Sequence, residues 1–313
     1  MKSSLCRVYP KRGGARSVLA ATAMLALAAL SGPACQENGE GQGAIVPPGA
    51  GQAAGSVVDS KFLLNLPKTL HIPAADDEVG WRVLADYGAV FVARGGVSPP
   101  PAIIFQGERT VTGWQSRLKI KRMELGGVVV ELQAPAAAAL LAARREVQAQ
   151  GLEISPRGQD AARRSYRDTA KLWASRVKPG LEHWVSSGRL TKQESDRIRA
   201  LSPREQVAEI LRLEKRGIFF SKDFSKSILY SVAAPGTSQH ISMLALDVKE
   251  HGSLPVRTVL ARHGWFQTVL SDLPHFTFLG VAEKDLPALG LKKVQTMGRA
   301  FWVPDLEATR QGR

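Results

Sequence analysis

Cysteine is nearly absent from this chain: only Cys6 and Cys35 occur in 313 residues. Removal of a leader containing Cys6 would leave one, so no internal disulfide framework can carry the fold. Acidic residues are missing from the first 35 positions, which hold five basic ones (Lys2, Arg7, Lys11, Arg12 and Arg16). The uncharged run Val18–Leu30 is 13 residues long, short of the roughly 20 needed to cross a bilayer. No Walker-type phosphate loop is present, and Gly236-Thr237-Ser238 lacks the flanking glycine pattern of a nucleophile elbow. P-loop nucleotide chemistry and α/β-hydrolase chemistry are therefore set aside. No internal repeat is visible, which argues against a solenoid.

The order of features at the start is that of a secretory leader. A basic stretch ends at Arg16, an Ala/Leu-rich run follows, and Ser31-Gly32-Pro33-Ala34 precede Cys35. Residues 1–35 are read as an export signal. Cys35 stands where a lipoprotein carries its lipidated cysteine, although Gly32 occupies the position usually held by Leu. Cleavage after Ala34 by an ordinary signal peptidase fits as well. The expectation is an exported envelope or periplasmic protein, with Cys35 as the candidate lipid anchor.

Formal charge is +14, falling to +9 without the leader. That balance suits an anionic polymer such as a bacterial wall, anionic lipid or nucleic acid, and charge alone does not choose among them. Residues 36–56, rich in Gly, Gln, Ala and Pro, read as a flexible tether. Residues 57–126 form a flanking region, 127–304 the main domain and 305–313 a tail. Within these, Arg82–Val97 reads as a short helix followed by a strand over Ala89–Ala93. Strands are expected over Ala102–Phe105, Gly127–Glu131, Leu152–Ser155, Ile218–Phe220, Ile228–Val232, Leu244–Val248 and Phe276–Val281. Helices are expected over Ala136–Gln150 and, roughly, 159–176, 191–200 and 203–216, with Thr191/Glu194 and Ser202/Glu205 at capping-box spacing. The sum is an α+β fold, a small antiparallel sheet with flanking helices.

Chemistry concentrates in the segment 234–248. A Pro235-Gly236 loop leads to Ser238 and His240, a strand carries Asp247, and His275 follows a helix and a turn later. Two histidines and a carboxylate make a three-ligand shell of the kind found around catalytic zinc, with the fourth position open. On spacing alone, a histidine near a strand is more often a hydrogen-bonded core or surface residue. His251, in a polar turn, and His263, at a helix end, are alternative ligands.

The segment resembles the zinc motif of VanY-type D-alanyl-D-alanine carboxypeptidases, a family related in fold to the Hedgehog signalling domain. The family pattern SxHxxGxAxD is matched by Ser238, His240, Ala245 and Asp247, and its downstream ExxH element by Asp272 and His275. The likeness spans roughly 128–282. It implies Zn2+ held by His240, Asp247 and His275, and Asp272 in the place of the catalytic Glu. It implies substrate contacts from Ser238 and Arg157, and hydrolysis of peptidoglycan stem peptides rather than any nucleic-acid partner. Four departures stand out. Met243 replaces Gly, Asp272 replaces Glu, Pro274 replaces an aromatic residue, and the loop carrying Arg157 is short. Arg163, Arg164, Lys222 and Lys226 are alternative anchors for the substrate carboxylate, and Ser238 is equally well read as a turn cap. A non-catalytic, zinc-stabilised wall-binding protein is the second functional reading. Oligomeric state is not legible.

Overall fold

Short polar residues set ahead of helix formers decide where the main helices begin. In the computed structural model, which describes residues 60–307, Ser165, Thr191 and Ser202 each open a helix. The side chains of Asp168, Glu194 and Glu205 reach back to their backbone N–H groups, completing capping boxes. Export signal, Cys35 and tether lie outside the described residues. The helices are α1 (Lys61–Asn65), α2 (Glu78–Tyr87), α3 (Glu108–Gln115), α4 (Ala134–Gln148), α5 (Tyr166–Ser186), α6 (Lys192–Ala200), α7 (Pro203–Glu214) and α8 (Leu254–Arg262). Pro135 sits in the first turn of α4, where its missing N–H costs nothing.

The strands are β1 (Ile120–Leu125), β2 (Val128–Gln133), β3 (Ala245–Asp247), β4 (Trp265–Phe266), β5 (His275–Phe278), β6 (Leu291–Thr296) and β7 (Arg299–Pro304). They form, among the described residues, two hairpins, β1–β2 and β6–β7, and a three-stranded sheet in the order β3-β5-β4, all antiparallel. The α+β expectation holds at that level, with three small sheets in place of one. A core running from Phe62 and Leu84 through Leu140, Trp173 and Phe220 to Trp265 and Phe276 packs helices and central sheet together. Residues on both sides of position 126 contribute to it.

Several expected strands are something else. Ala89–Ala93 follows α2 as a 3-10 helix, Gly88–Val92, and all of it is buried. A continuous apolar run carries no period that separates strand from buried helical turn. Ala102–Phe105 forms no strand, since the prolines before it remove ladder donors and Phe105 N–H alone bonds across, to Gly236 C=O at 3.0 Å. Leu152–Ser155 forms no strand; its end is joined to the chain after β3 by Lys249 N–H to Ser155 C=O at 2.9 Å and the bridge between Pro156 and Val248. Ile218–Phe220 is likewise unpaired, and Ile228–Tyr230 is a 3-10 turn. The helix placed at 159–176 starts only at Tyr166, where Ser165 caps it, and continues past Pro179 to Ser186. Hairpin β6–β7 was not anticipated: its strands mix Lys, Gln and Arg with apolar residues and show little clean alternation.

Two backbone positions fix the entry to the central sheet. Gly236 has φ +78°, and a Cβ there would lie 2.2 Å from Phe105 O. Met243 has φ 55° and ψ 30°, left-handed backbone at the place where the resembled family carries glycine. Gly236→Ala is expected to destabilise the protein by about 2–4 kcal/mol, combining left-handed strain with overpacking. Gly252→Ala, where a Cβ meets nothing within 4 Å, should stay within about 0.5 kcal/mol of the parent. Urea unfolding of the two variants checks both, and equal midpoints would show that the Phe105–Gly236 contact imposes no such constraint.

Candidate metal centre

Antiparallel register brings the first two site residues together. Asp247 ends β3 directly opposite His275 at the start of β5, so their side chains share a face as a cross-strand pair. His240 arrives from a different direction, on the 3-10 turn Gln239–Ser242 that follows the Pro235-Gly236 loop. The result is a triangle of ligand atoms. His275 Nδ1 lies 3.1 Å from His240 Nε2 and 3.2 Å from Asp247 Oδ1, and His240 Nε2 lies 3.2 Å from the same carboxylate oxygen.

Which lone pairs face this triangle follows from what the other ring atoms do. His240 Nδ1 is 2.7 Å from the carbonyl of Ala162, which can only accept, so Nδ1 holds the proton and Nε2 presents its lone pair inward. His275 Nε2 is 2.8 Å from Gln239 Oε1. The amide of Gln239 is oriented in turn by its own Nε2, which donates to Tyr87 C=O at 2.8 Å. Gln239 Oε1 therefore accepts from His275 Nε2–H, and His275 Nδ1 also points its lone pair inward. Thr268 and Thr277 donate to that oxygen as well. With both rings neutral, three lone pairs converge and no proton is left to place between them.

A cation is what such a triangle accommodates. With metal–ligand bonds of about 2.0–2.1 Å, tetrahedral geometry sets ligand atoms about 3.3 Å apart, close to the spacing found. Burial lowers the His240 imidazole below its ordinary value despite the nearby Asp247 charge, which favours the neutral ring that a metal ligand requires. Asp247 faces both imidazoles through Oδ1. Its second oxygen, Oδ2, accepts from Arg164 at 3.0 Å. The buried His240, Asp247 and His275 group can thus bind a metal ion.

The same residues line a cleft of about 430 Å³ together with Ser238, Arg157, Asp272, Arg176 and Tyr230. Asp272 sits in the turn before β5; its backbone bonds to Val269 O and His275 N, both at 3.1 Å, hold that turn. Its carboxylate has no hydrogen-bond or ion-pair partner among the described residues, and the same is true of the exposed Arg157 guanidinium. Ser238 caps no turn with its hydroxyl, although it is the residue before the 3-10 turn.

The other sequence candidates fall elsewhere. Arg164 is committed to Asp247, and Arg163 to Glu131 and Gln115 at 2.8 and 3.0 Å. Lys222 and Lys226 are exposed in the segment before Ile228. His263 ends α8 and meets Glu146 at 2.8 Å, while His251 meets Arg299 at 3.0 Å; neither enters the triangle. Gln239 and Arg176 were not singled out from sequence. Gln239 acts through a residue 36 positions away, and nothing local marks it. Arg176 reaches the cleft from α5, and its Nε is buried without a partner among the described residues. Searches against family models, curated proteins and solved structures found no match.

Metal uptake should depend on the partners as well as the ligands. The full chain is expected to bind a divalent transition ion, His240→Ala and His275→Ala to abolish binding, and Gln239→Ala to weaken it about 10–100-fold. Competition against a chelating dye measures all four. Unchanged affinity in Gln239→Ala would refute the assignment of the His275 tautomer.

Proposed function

We propose that the protein is a zinc-dependent peptidase acting on peptidoglycan stem peptides, most simply as a D-alanyl-D-alanine carboxypeptidase. The observation that carries this reading is a three-ligand centre of two imidazoles and one carboxylate opening onto a cleft that also holds an acid and a guanidinium without partners among the described residues, and a hydroxyl that caps no turn. An N2O set with one open position is the ligand pattern of hydrolytic zinc. Likeness to the VanY-type motif supports the substrate class, and the same likeness makes a Hedgehog/DD-peptidase-type fold part of the proposal. The leader read in residues 1–35 supports an envelope location, with Cys35 as the lipid anchor in the lipoprotein version.

Bound zinc would polarise the scissile carbonyl and acidify a water molecule. The work of the chain's own groups is then specific. Asp272 accepts the proton released by the attacking water and returns it to the departing amine. Arg157, planar and always charged, pairs with the substrate's terminal carboxylate through two parallel hydrogen bonds. Ser238 Oγ, from the wall next to His240, donates to the peptide and fixes its register. Arg164 keeps Asp247 ionised and correctly turned, leaving Oδ1 for the centre. Neither His240 nor His275 exchanges protons in this scheme, because each ring's N–H is held by a buried acceptor.

The test pairs metal content with D-Ala release from a pentapeptide. Asp272→Asn is expected to keep its zinc and to lose about 10²–10⁴ in kcat, while Asp272→Glu retains activity. Parent protein that binds zinc yet releases no D-Ala would refute the enzyme and leave a zinc-stabilised wall-binding protein.

A further inference from the structure

Helix α8 and strand β7 bring two arginines to one point outside the metal triangle. Arg257 Nη1 donates to the carbonyl of His251 at 3.1 Å, and Arg299 Nη1 donates to the same oxygen at 2.9 Å. The two guanidinium groups therefore sit side by side. Arg257 also donates to Gly252 C=O at 2.8 Å, and Arg299 to His251 Nδ1 at 3.0 Å. Every one of these acceptors is uncharged. Elsewhere, Arg82, Arg144, Arg163, Arg164 and Arg197 each pair with a carboxylate. No carboxylate lies within ion-pair distance of Arg157, Arg257 or Arg299 among the described residues.

Positive charge is crowded here. Burial, followed by the charges of Arg299, Arg157 and Arg257, holds the His251 imidazole below its ordinary value, with Asp272 opposing. Burial and the Arg299 charge lower Arg257 as well. Two half-buried guanidinium groups held together against their repulsion, with donors to spare and no counter-charge, form a place where an anion gains from both at once.

Backbone bonds tie the segment that carries His251 to the elements around the cleft. Residues 248–252 continue directly from Asp247. Val248 N–H donates to Pro274 C=O at 2.8 Å, Lys249 N–H to Ser155 C=O at 2.9 Å, and Arg157 N–H to Asp247 C=O at 2.8 Å. Glu250 is occupied on the other side, accepting from Ser155 N–H at 2.8 Å and from the Ser155 hydroxyl. His251 and its two arginines thus hang from the chain that carries one metal ligand, between the Arg157 loop and the Asp272 turn.

We infer that Arg257 and Arg299 form an anion subsite that takes the carboxylate of an acidic residue in the substrate peptide, away from the bond cleaved at the metal centre, while Arg157 stays with the terminal carboxylate. This rests on the peptidase reading. Paired planar guanidinium groups match a planar carboxylate, and with the terminal carboxylate held by Arg157, an acidic side chain of the same peptide is the anion left for them. The subsite would select acidic peptides over neutral ones without touching the reacting atoms, so its signature is in KM and not in kcat.

The test uses the zinc-loaded full chain and two synthetic pentapeptides ending in D-Ala-D-Ala. They are identical except that one internal acidic residue is a carboxylate in one and a carboxamide in the other. The carboxylate peptide is expected to show a KM about tenfold lower at equal kcat. The double variant Arg257→Gln/Arg299→Gln should raise that KM to the level of the amide peptide, with kcat, amide KM and metal content unchanged. Equal KM values in the parent protein, or a preference that survives the double substitution, would overturn the subsite, and the parent comparison needs no variant to fold. If neither peptide releases D-Ala, the peptidase reading has failed, and calorimetric titration of the same two peptides decides the subsite alone. Tighter binding of the acid, lost in the double variant, sustains it. Equal binding of the two, or stronger binding of inorganic phosphate than of either peptide, overturns it.

Discussion

Everything around the candidate site answers to one electrostatic constraint: three lone pairs are held face to face in a buried place, about a hydrogen-bond length apart, with no proton between them. Left to themselves such groups would turn away or recruit a proton. They stay because each is tied from behind. Ala162 C=O holds the far side of His240, Gln239 the far side of His275, and Arg164 the far oxygen of Asp247. The β3–β5 register then sets how close the carboxylate and one imidazole stand. Remove any of these ties and the triangle loses a reason to persist. Added together, they are the second layer by which proteins orient metal ligands and fix ring tautomers.

The turn that delivers His240 shows how much structure such a geometry requires. Residues 239–243 curl through a 3-10 turn into left-handed backbone at Met243, a conformation that disfavours any side chain. Three buried glutamines secure it. Gln115 Nε2 donates to Ile241 C=O at 2.9 Å, Gln133 Nε2 to Ser242 C=O at 2.8 Å, and Gln239 reaches Tyr87 C=O. Ser242 turns its hydroxyl back to Gln239 C=O at 2.5 Å and accepts from Leu244 N–H at 3.0 Å. With the carbonyls of the turn satisfied from several directions, the local cost at Met243 is absorbed by a fully buried methionine side chain and an over-determined backbone. Glycine would relieve the strain but forfeit that packing.

Sequence legibility divides along the same line between local and long-range causes. Capping boxes at Thr191 and Ser202, Pro135 at the head of α4 and the turn after it are written in adjacent residues, and the helices they bound begin within a residue or two of expectation. The ligand trio could be picked out only through the likeness of one short segment and one later turn to the VanY-type motif, because its spacing alone does not set it apart from ordinary hydrogen-bonded histidines. Gln239, Arg164 and the Ala162 carbonyl could not be assigned their parts, because each acts across a contact that only the folded chain creates. The failed strands share a cause of the opposite kind. Ala89–Ala93 and Ile218–Phe220 are apolar because they are buried, and burial without a partner strand gives the same composition as burial within a sheet. Hairpin β6–β7 has a partner but an undistinguished composition, so it went unseen.

Asp272 carries the proposed chemistry on a side chain one methylene shorter than the Glu of the VanY-type motif that the segment resembles, and the turn around it is stiff. Pro274 cannot donate, so the turn closes instead through His275 N–H to Asp272 C=O and Asp272 N–H to Val269 C=O. The carbonyl of Pro274 receives Val248 N–H, which locks the turn to the end of β3, beside Asp247. A flexible acid of full length can reach a reacting water from a loosely placed backbone. A short one has to be carried there by its backbone, and a proline-stiffened turn stapled to β3 is a means of doing so. On the proposed peptidase reading, the short side chain of Asp272 and the stiffness of Pro274 act together: reach is exchanged for rigidity in the element that already sets the position of His275.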